Sequence, residues 1–151
     1  MIKIKKLIVS SRGDTNLKEV KETLFEAAVE LIEKRYPIGW GGAAAAYTNN
    51  NMILTSVAPD IINASTELCI ETGAILEAHK LEVSITDIIC VVRENENSEF
   101  KLLAPCGICQ ERLFYWDSEV RAGIKIEDEI IVIKTLEELQ PYHWYKTIKD
   151  K

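Results

Sequence analysis

From residue 16 to residue 36, Leu17, Val20, Leu24, Ala27, Ala28, Leu31 and Ile32 recur at steps of three and four. That spacing predicts a helix with one buried face, ended by Pro37 and Gly39. Between Gly41 and Val57 the pattern changes to two short apolar runs, Ala43 to Tyr47 and Met52 to Val57, separated by Asn49, Asn50 and Asn51. Such runs predict a β-hairpin with an Asn-rich turn, and Gly41 and Gly42 permit close backbone approach where it begins. Pro59 and Asp60 break the second run. Residues 66 to 80 then predict a second helix, capped by Thr66, with Leu68, Ile75, Leu76 and the small Gly73, Ala74 and Ala78 available for packing.

Ile85 to Val92 is β-branched without alternation, as expected of a strand covered on both faces. Arg93 to Glu99 is polar enough to be a loop, and Phe100 to Leu103 is either a strand or an extended approach. After Pro105, residues 107 to 115 predict a further helix. Ile124 to Ile126 and Ile130 to Ile133 are separated only by Glu127, Asp128 and Glu129. A parallel crossover needs a dozen or more residues, so these two strands are expected to be antiparallel neighbours. The order describes an α/β fold, a three-layer sandwich in which a mixed five-stranded sheet carries helices on its faces and ends in an antiparallel hairpin.

The 151 residues, with no repeat and no linker, point to a single domain over 1–151. Eighteen basic and 24 acidic residues leave a net charge of −6, which argues against a protein that grips a polynucleotide through a broad basic face. No segment approaches the roughly 18 uninterrupted apolar residues of a membrane helix. The stretch Met1 to Val9 is too short and too rich in Lys for a secretory signal, so a reducing cytoplasmic home is the default expectation. There, closely spaced cysteines are more often metal ligands or redox groups than structural bridges.

The chain has four cysteines, Cys69, Cys90, Cys106 and Cys109. Cys69, Cys106 and Cys109 can hold zinc as thiolates and leave its fourth tetrahedral position to water, which would make the site catalytic. Zinc lowers the pKa of such a water, but hydrolysis also needs a group that moves protons. Glu71, two residues from Cys69, is the candidate. In a regular helix positions 69 and 71 would point about 200° apart, so Cys69 must sit in an irregular first turn or Glu71 must reach around.

Zn²⁺ with three thiolates carries a net negative charge, which resists ionisation of its water unless something offsets it. Two helix N-termini and Arg112, three residues past Cys109, are expected to compensate. Two blander assignments stay open: a closed structural zinc site or core thiols, and a redox pair made by Cys106 and Cys109 alone. The first lacks an obvious fourth ligand; the second leaves Cys69 and Glu71 unexplained. Cys90, within an apolar run, is expected to be a buried strand residue.

Cys69-Ile70-Glu71 followed by Pro105-Cys106-Gly107-Ile108-Cys109 resembles the signature of the cytidine deaminase superfamily. With Cys in first place, the pattern is similar to the free-nucleoside branch, the cytidine and blasticidin S deaminases. Gly42-Ala43-Ala44, Asn63-Ala64-Ser65 and Glu138-Leu139-Gln140-Pro141 resemble further segments of that branch, as does the antiparallel terminal hairpin.

The resemblance implies zinc on Cys69, Cys106 and Cys109, with Glu71 passing a proton to the ring nitrogen and then to the departing amine. It also implies a base contact at the Ile70 backbone, a role in pyrimidine salvage, and a homo-oligomer, commonly a tetramer. The implied partner is a small nucleoside rather than a polynucleotide or a membrane.

Departures concern the substrate. Relatives hold ribose with an Asn and a Glu just before the Asn-Ala-Ser segment, where this chain has Asp60, Ile61 and Ile62. Asp60 is the expected ribose carrier, with Asn63 beside it, and Trp40 or Tyr36 would stand in for the aromatic residue that covers the base. Many relatives have Arg after the catalytic Glu; this chain has Thr72. The expectation is therefore a zinc-dependent hydrolytic deaminase of cytidine or a related aminopyrimidine nucleoside. A blasticidin S deaminase-like enzyme and a non-catalytic zinc-binding protein of the same fold are the alternatives. His79 is expected at the surface. The aromatic run Tyr142 to Tyr145 either packs on its own domain or meets a neighbouring subunit.

Overall fold

The computed structural model describes residues 14–149; the Lys-rich stretch Met1 to Val9 lies outside them. The chain runs α1 (Asp14–Arg35), β1 (Gly41–Thr48), β2 (Ile53–Ser56), α2 (Thr72–Lys80), β3 (Ile85–Arg93), β4 (Lys101–Leu103), α3 (Gly107–Leu113), β5 (Arg121–Glu127), β6 (Ile130–Thr135), α4 (Leu136–Leu139) and α5 (Tyr145–Lys149).

The strands form one mixed sheet in the order β2-β1-β3-β5-β6, with β4 also paired to β3. Among the described residues its single parallel pair is β3 with β5, and the β5–β6 hairpin is antiparallel, as its short connection requires. The sheet has six strands rather than the expected five. The sixth, β4, is only three residues long with one buried side chain, Leu102, so it carries no readable alternation. It pairs with the C-terminal half of β3, from Cys90 to Val92, whereas β5 pairs at Asp87 and Ile88. β4 and the start of β5 thus share one edge of β3 end to end.

Burial on both faces of the sheet follows from side-chain alternation. Ala43, Ala45, Ile89 and Val91 turn towards Leu24, Ala28 and Ile32 of α1, while Ala46 and Ile88 turn towards Ala74, Ile75 and Ala78 of α2 and Leu113 of α3. The unbroken alanines of β1 let helices approach from either side, which makes the three layers.

A second correction concerns α2, which begins at Thr72 rather than Thr66. Asn63 caps a separate 3-10 turn over Ala64–Thr66, its side chain accepting from Ser65 N. The polar capping signal at 63–66 therefore belongs to that turn, and residues 67–71 approach the helix irregularly. The third predicted helix ends at Leu113, two residues short of Tyr115.

Among the described residues no helix is long and apolar enough to cross a membrane. His79 is exposed near the end of α2, stacked on Trp116 with ring centroids 4.7 Å apart. Of the C-terminal aromatic run, His143 is buried against Phe114, the C-cap residue of α3, at 4.0 Å, whereas Tyr142, Trp144 and Tyr145 remain exposed.

Candidate metal centre and active site

The three cysteines converge from two helix starts. Cys69 precedes α2 in a turn closed by Thr72 N donating to Cys69 O at 3.0 Å. Glu71 occupies the N-cap position, and its carbonyl accepts from Ile75 N at 3.1 Å. Because Cys69 lies outside the helix, it escapes the angular conflict that regular helical spacing would impose. On the other side, Cys106 is the N-cap residue of α3 and Cys109 lies buried in its first turn.

The three sulfurs lie within 4.8 Å of one another, and Cys69 Sγ to Cys106 Sγ is 3.3 Å. This is the one group of three or more potential metal ligands among the described residues. Glu71 is buried, and its Oε2 lies 3.5 Å from Cys109 Sγ.

The electrostatics of the cluster call for a cation. Burial pushes the Cys109 thiol far above its ordinary pKa, and the neighbouring charges of Glu71 and Cys106 push it further. Cys69 is raised first by its hydrogen bond with Cys106 and then by burial. For Cys106, burial acts upwards, but the backbone N–H of Cys109, the Cys69 thiol and the N–H of Ile108 outweigh it, so the net shift is downward. Three thiolates beside a buried carboxylate repel one another. A divalent ion held at metal–sulfur distances of about 2.3 Å removes that conflict. The donor set therefore fits zinc, which Cys69, Cys106 and Cys109 would hold through their three sulfurs.

Close packing holds the Cys69–Glu71 turn in place. Ser56 Oγ at the end of β2 donates to Ile70 O at 2.6 Å. A Cβ at Gly73 would come 2.8 Å from Ser56 Cβ, so glycine there lets the start of α2 sit against β2. A Cβ at Gly42 would lie 2.8 Å from both Ile70 Cδ1 and the Trp40 ring. The start of β1 thus brings Ile70 and Trp40 together. Trp40 is half exposed and meets Tyr36 edge-on at 6.0 Å, so both aromatic candidates stand in one place.

Cys90 is buried in β3, as expected of a strand residue. It pairs with Ala44 on the sheet, and its thiol is raised by burial and then by the charges of Glu71 and Cys69. It lies near the cluster without belonging to the ligand group.

The remaining expected site residues all have other partners. Arg112 Nη1 donates to Thr72 Oγ1 at 2.9 Å, not to a sulfur. Its charge consequently arrives beside Thr72, the position at which many relatives place their own Arg. Asp60 pairs with Arg35 at 2.8 Å and is 85% exposed. Asn63 Oδ1 is taken up by Ser65 N and Oγ.

Sequence reasoning missed Ser56, because its contact with Ile70 spans 14 residues and a lone Ser at a strand end carries no signal. It also missed the link between Gln110 and Gln140, in which Gln140 Nε2 donates to Gln110 Oε1 at 2.8 Å across 30 residues.

Neither a protein-family model nor a curated protein matches the chain. Solved structures do. A cytidine deaminase from Bacillus anthracis is 56% identical, with a TM-score of 0.84 over 87% of this chain and 94% of that one. Cytidine deaminases from Mycobacterium leprae and Mycobacterium tuberculosis each give a TM-score of 0.62. They are 21% and 19% identical, cover 80% and 82% of this chain and 97% and 96% of their own, and support the fold alone. The three-layer fold, the thiol cluster beside a buried Glu71, and 56% identity over most of both chains place this protein in one family: the chain belongs to the cytidine deaminase superfamily.

Proposed function

We propose that this protein is a zinc-dependent hydrolytic deaminase that replaces the exocyclic amine of cytidine, or of a closely related aminopyrimidine nucleoside, with a carbonyl and releases ammonia. The observation that carries the proposal is the buried Glu71 carboxylate 3.5 Å from Cys109 within a three-sulfur cluster. A purely structural metal site has no use for that carboxylate.

Cys69, Cys106 and Cys109 hold the metal. When bound, zinc supplies a water acidic enough to attack near neutral pH. Glu71 takes a proton from the attacking water and delivers it to the ring nitrogen as the amine-bearing carbon becomes tetrahedral. It then carries the second proton to the amine, which leaves as ammonia, and the ring regains its carbonyl form. One water is consumed, one ammonia is released, and Glu71 ends as it began. Burial of Glu71 limits competing proton exchange with solvent and keeps its charge effective. Trp40 and Ile70, gathered over Gly42, supply an apolar wall against which the base rests. Asp60 and Asn63 supply polar groups for the sugar, and Arg112 offsets the thiolate charge from its place beside Thr72.

Ammonia release across a panel of cytidine, deoxycytidine, cytosine and blasticidin S tests the proposal, with Glu71→Gln as control. Wild type should turn over a cytosine nucleoside, and the variant should lose about 10²- to 10⁴-fold while retaining zinc. Zinc-loaded wild type inert on the whole panel would overturn the enzymatic assignment. Thiol ligands must stay reduced, which suits a cytoplasmic setting. A homo-oligomer belongs to the same proposal, supported by Tyr142, Trp144, Tyr145 and Ile148, which leave an apolar face uncovered at the C-terminus. Sedimentation should give a mass above that of one 17.1 kDa chain; a monomer at micromolar concentration would remove this part.

A further inference from the structure

On the reading that Cys69, Cys106 and Cys109 hold zinc, we infer that Gln110 and Gln140 form a positioning relay. Through it the C-terminal segment holds the Pro105–Cys106 turn in its metal-binding shape.

Cys106 needs such support because of where it sits. It is exposed and lies at the N-cap of α3, where its side chain makes no capping hydrogen bond. The direction of its Cα–Cβ bond, from which the thiol projects, is set by the two peptide planes that flank its Cα, since each plane is rigid. Gln110 grips both. Its backbone N–H donates to Cys106 O at 2.9 Å, which fixes the peptide that follows Cys106. Its side-chain Nε2 donates to Pro105 O at 2.7 Å, which fixes the peptide that precedes it.

The Gln110 amide can work in one orientation only. Pro105 O is a pure acceptor, so the amide nitrogen must face it and Oε1 must face away. Oε1 then needs a donor, and Gln140 Nε2 supplies one at 2.8 Å. Gln140 is itself fastened: its N–H donates to Leu136 O at 2.8 Å, and its carbonyl accepts from His143 N at 3.1 Å. The following residues clamp that segment to α3. His143 Nε2 lies 2.7 Å from Glu111 Oε2, Trp144 Nε1 donates to Glu111 Oε1 at 3.1 Å, and His143 stacks on Phe114. A short helix with one proposed metal ligand at its N-cap and another in its first turn is thus held from outside the site by residues some 30 positions later. Groups that orient ligands in this way commonly alter metal affinity when removed.

The test is zinc transfer from the full-length, zinc-loaded protein to a chromogenic chelator. Three variants are used: Gln110→Met, Gln140→Glu and the double variant. Gln110→Met keeps the length and loses the amide, and should speed zinc release about tenfold. Gln140→Glu keeps shape and volume but cannot donate to Oε1. It should attract the Gln110 Nε2 away from Pro105 and speed release by a similar factor. The double variant should be no faster than Gln110→Met, because both changes break the same relay.

Packing alone predicts a different pattern, with near-isosteric Gln140→Glu indistinguishable from wild type. That result, or unchanged release in Gln110→Met, overturns the relay. Gln140 lies off the ligand turn, so its variant decides the question even if Gln110→Met fails to fold. A wild-type chain that holds no zinc overturns the metal-site reading and the relay together; wild-type zinc with unchanged release in the variants overturns the relay alone.

Discussion

The two sides of the candidate site are built differently. On the metal side, each group has a fixed place: Cys69 and Glu71 in a turn tethered by Ser56, Cys106 and Cys109 at the start of α3, and Arg112 locked to Thr72. On the sugar side, Asp60 is 85% exposed and paired with Arg35, Asn63 caps its own turn, and Ile62 is fully exposed. The metal side is preorganised, so its groups need little rearrangement at the moment of reaction. The side proposed for the sugar would have to exchange these partners to hold a ligand. Chemistry is thereby separated from selectivity, and substitutions on the two sides should fail differently: metal-side variants lose zinc or turnover for every substrate, sugar-side variants change preference among substrates.

The sharpest test of that contrast is Cys109→Ala. It removes the most deeply buried sulfur, leaving two ligands beside an uncompensated Glu71 carboxylate. Zinc content should fall from one per chain to near zero and ammonia release should vanish for every nucleoside. Metal analysis checks the first and an ammonia assay the second. Retention of a full equivalent of zinc would mean that the three sulfurs do not form the metal centre.

Arg112→Ala should have a smaller effect of the same kind. The guanidinium meets the buried Thr72 hydroxyl next to Glu71, where a positive charge offsets the thiolates. Losing it should weaken zinc retention about tenfold and lower turnover equally for cytidine and deoxycytidine. Arg112→Lys keeps the charge but not the planar fork, so it should recover part of the loss. Unchanged zinc content and turnover in Arg112→Ala would remove this residue from the metal side.

What was legible in the sequence divides along the same line. Metal chemistry demands particular residue types at particular spacings, so Cys69, Glu71, Cys106 and Cys109 stood out before any fold was known. The terminal hairpin was legible because the two residues between β5 and β6, Asp128 and Glu129, leave no room for a crossover. The start of α2 was misplaced because Thr66, read as its cap, is the last residue of a separate 3-10 turn that Asn63 caps. Strand β4 was ambiguous because a three-residue element with one buried side chain has no period. The contacts of Ser56, Gln110 and Gln140 left no trace, since each is a side-chain hydrogen bond to a single carbonyl or amide that no periodicity records. Periodicity records which faces are buried; it does not record which carbonyl a side chain will hold.

The smallest expected effect belongs to Asp60, and it separates two roles for that carboxylate. Asp60 and Arg35 form an exposed pair, and such pairs contribute at most about 1 kcal/mol. A ribose hydroxyl can compete with so weak a partner. If Asp60 turns to the sugar, Asp60→Ala should lower kcat/KM for cytidine several-fold through KM and leave free cytosine unaffected. Arg35→Ala should act in the opposite direction, releasing Asp60 and lowering KM for cytidine slightly. If Asp60 serves only as the partner of Arg35, neither variant changes the ratio of cytidine to cytosine turnover. The sign of the Arg35→Ala effect is the informative part. A gain on removing Arg35 follows from competition for Asp60, and a loss would mean that Arg35 itself, through its place against the Tyr36 ring, supports the aromatic wall.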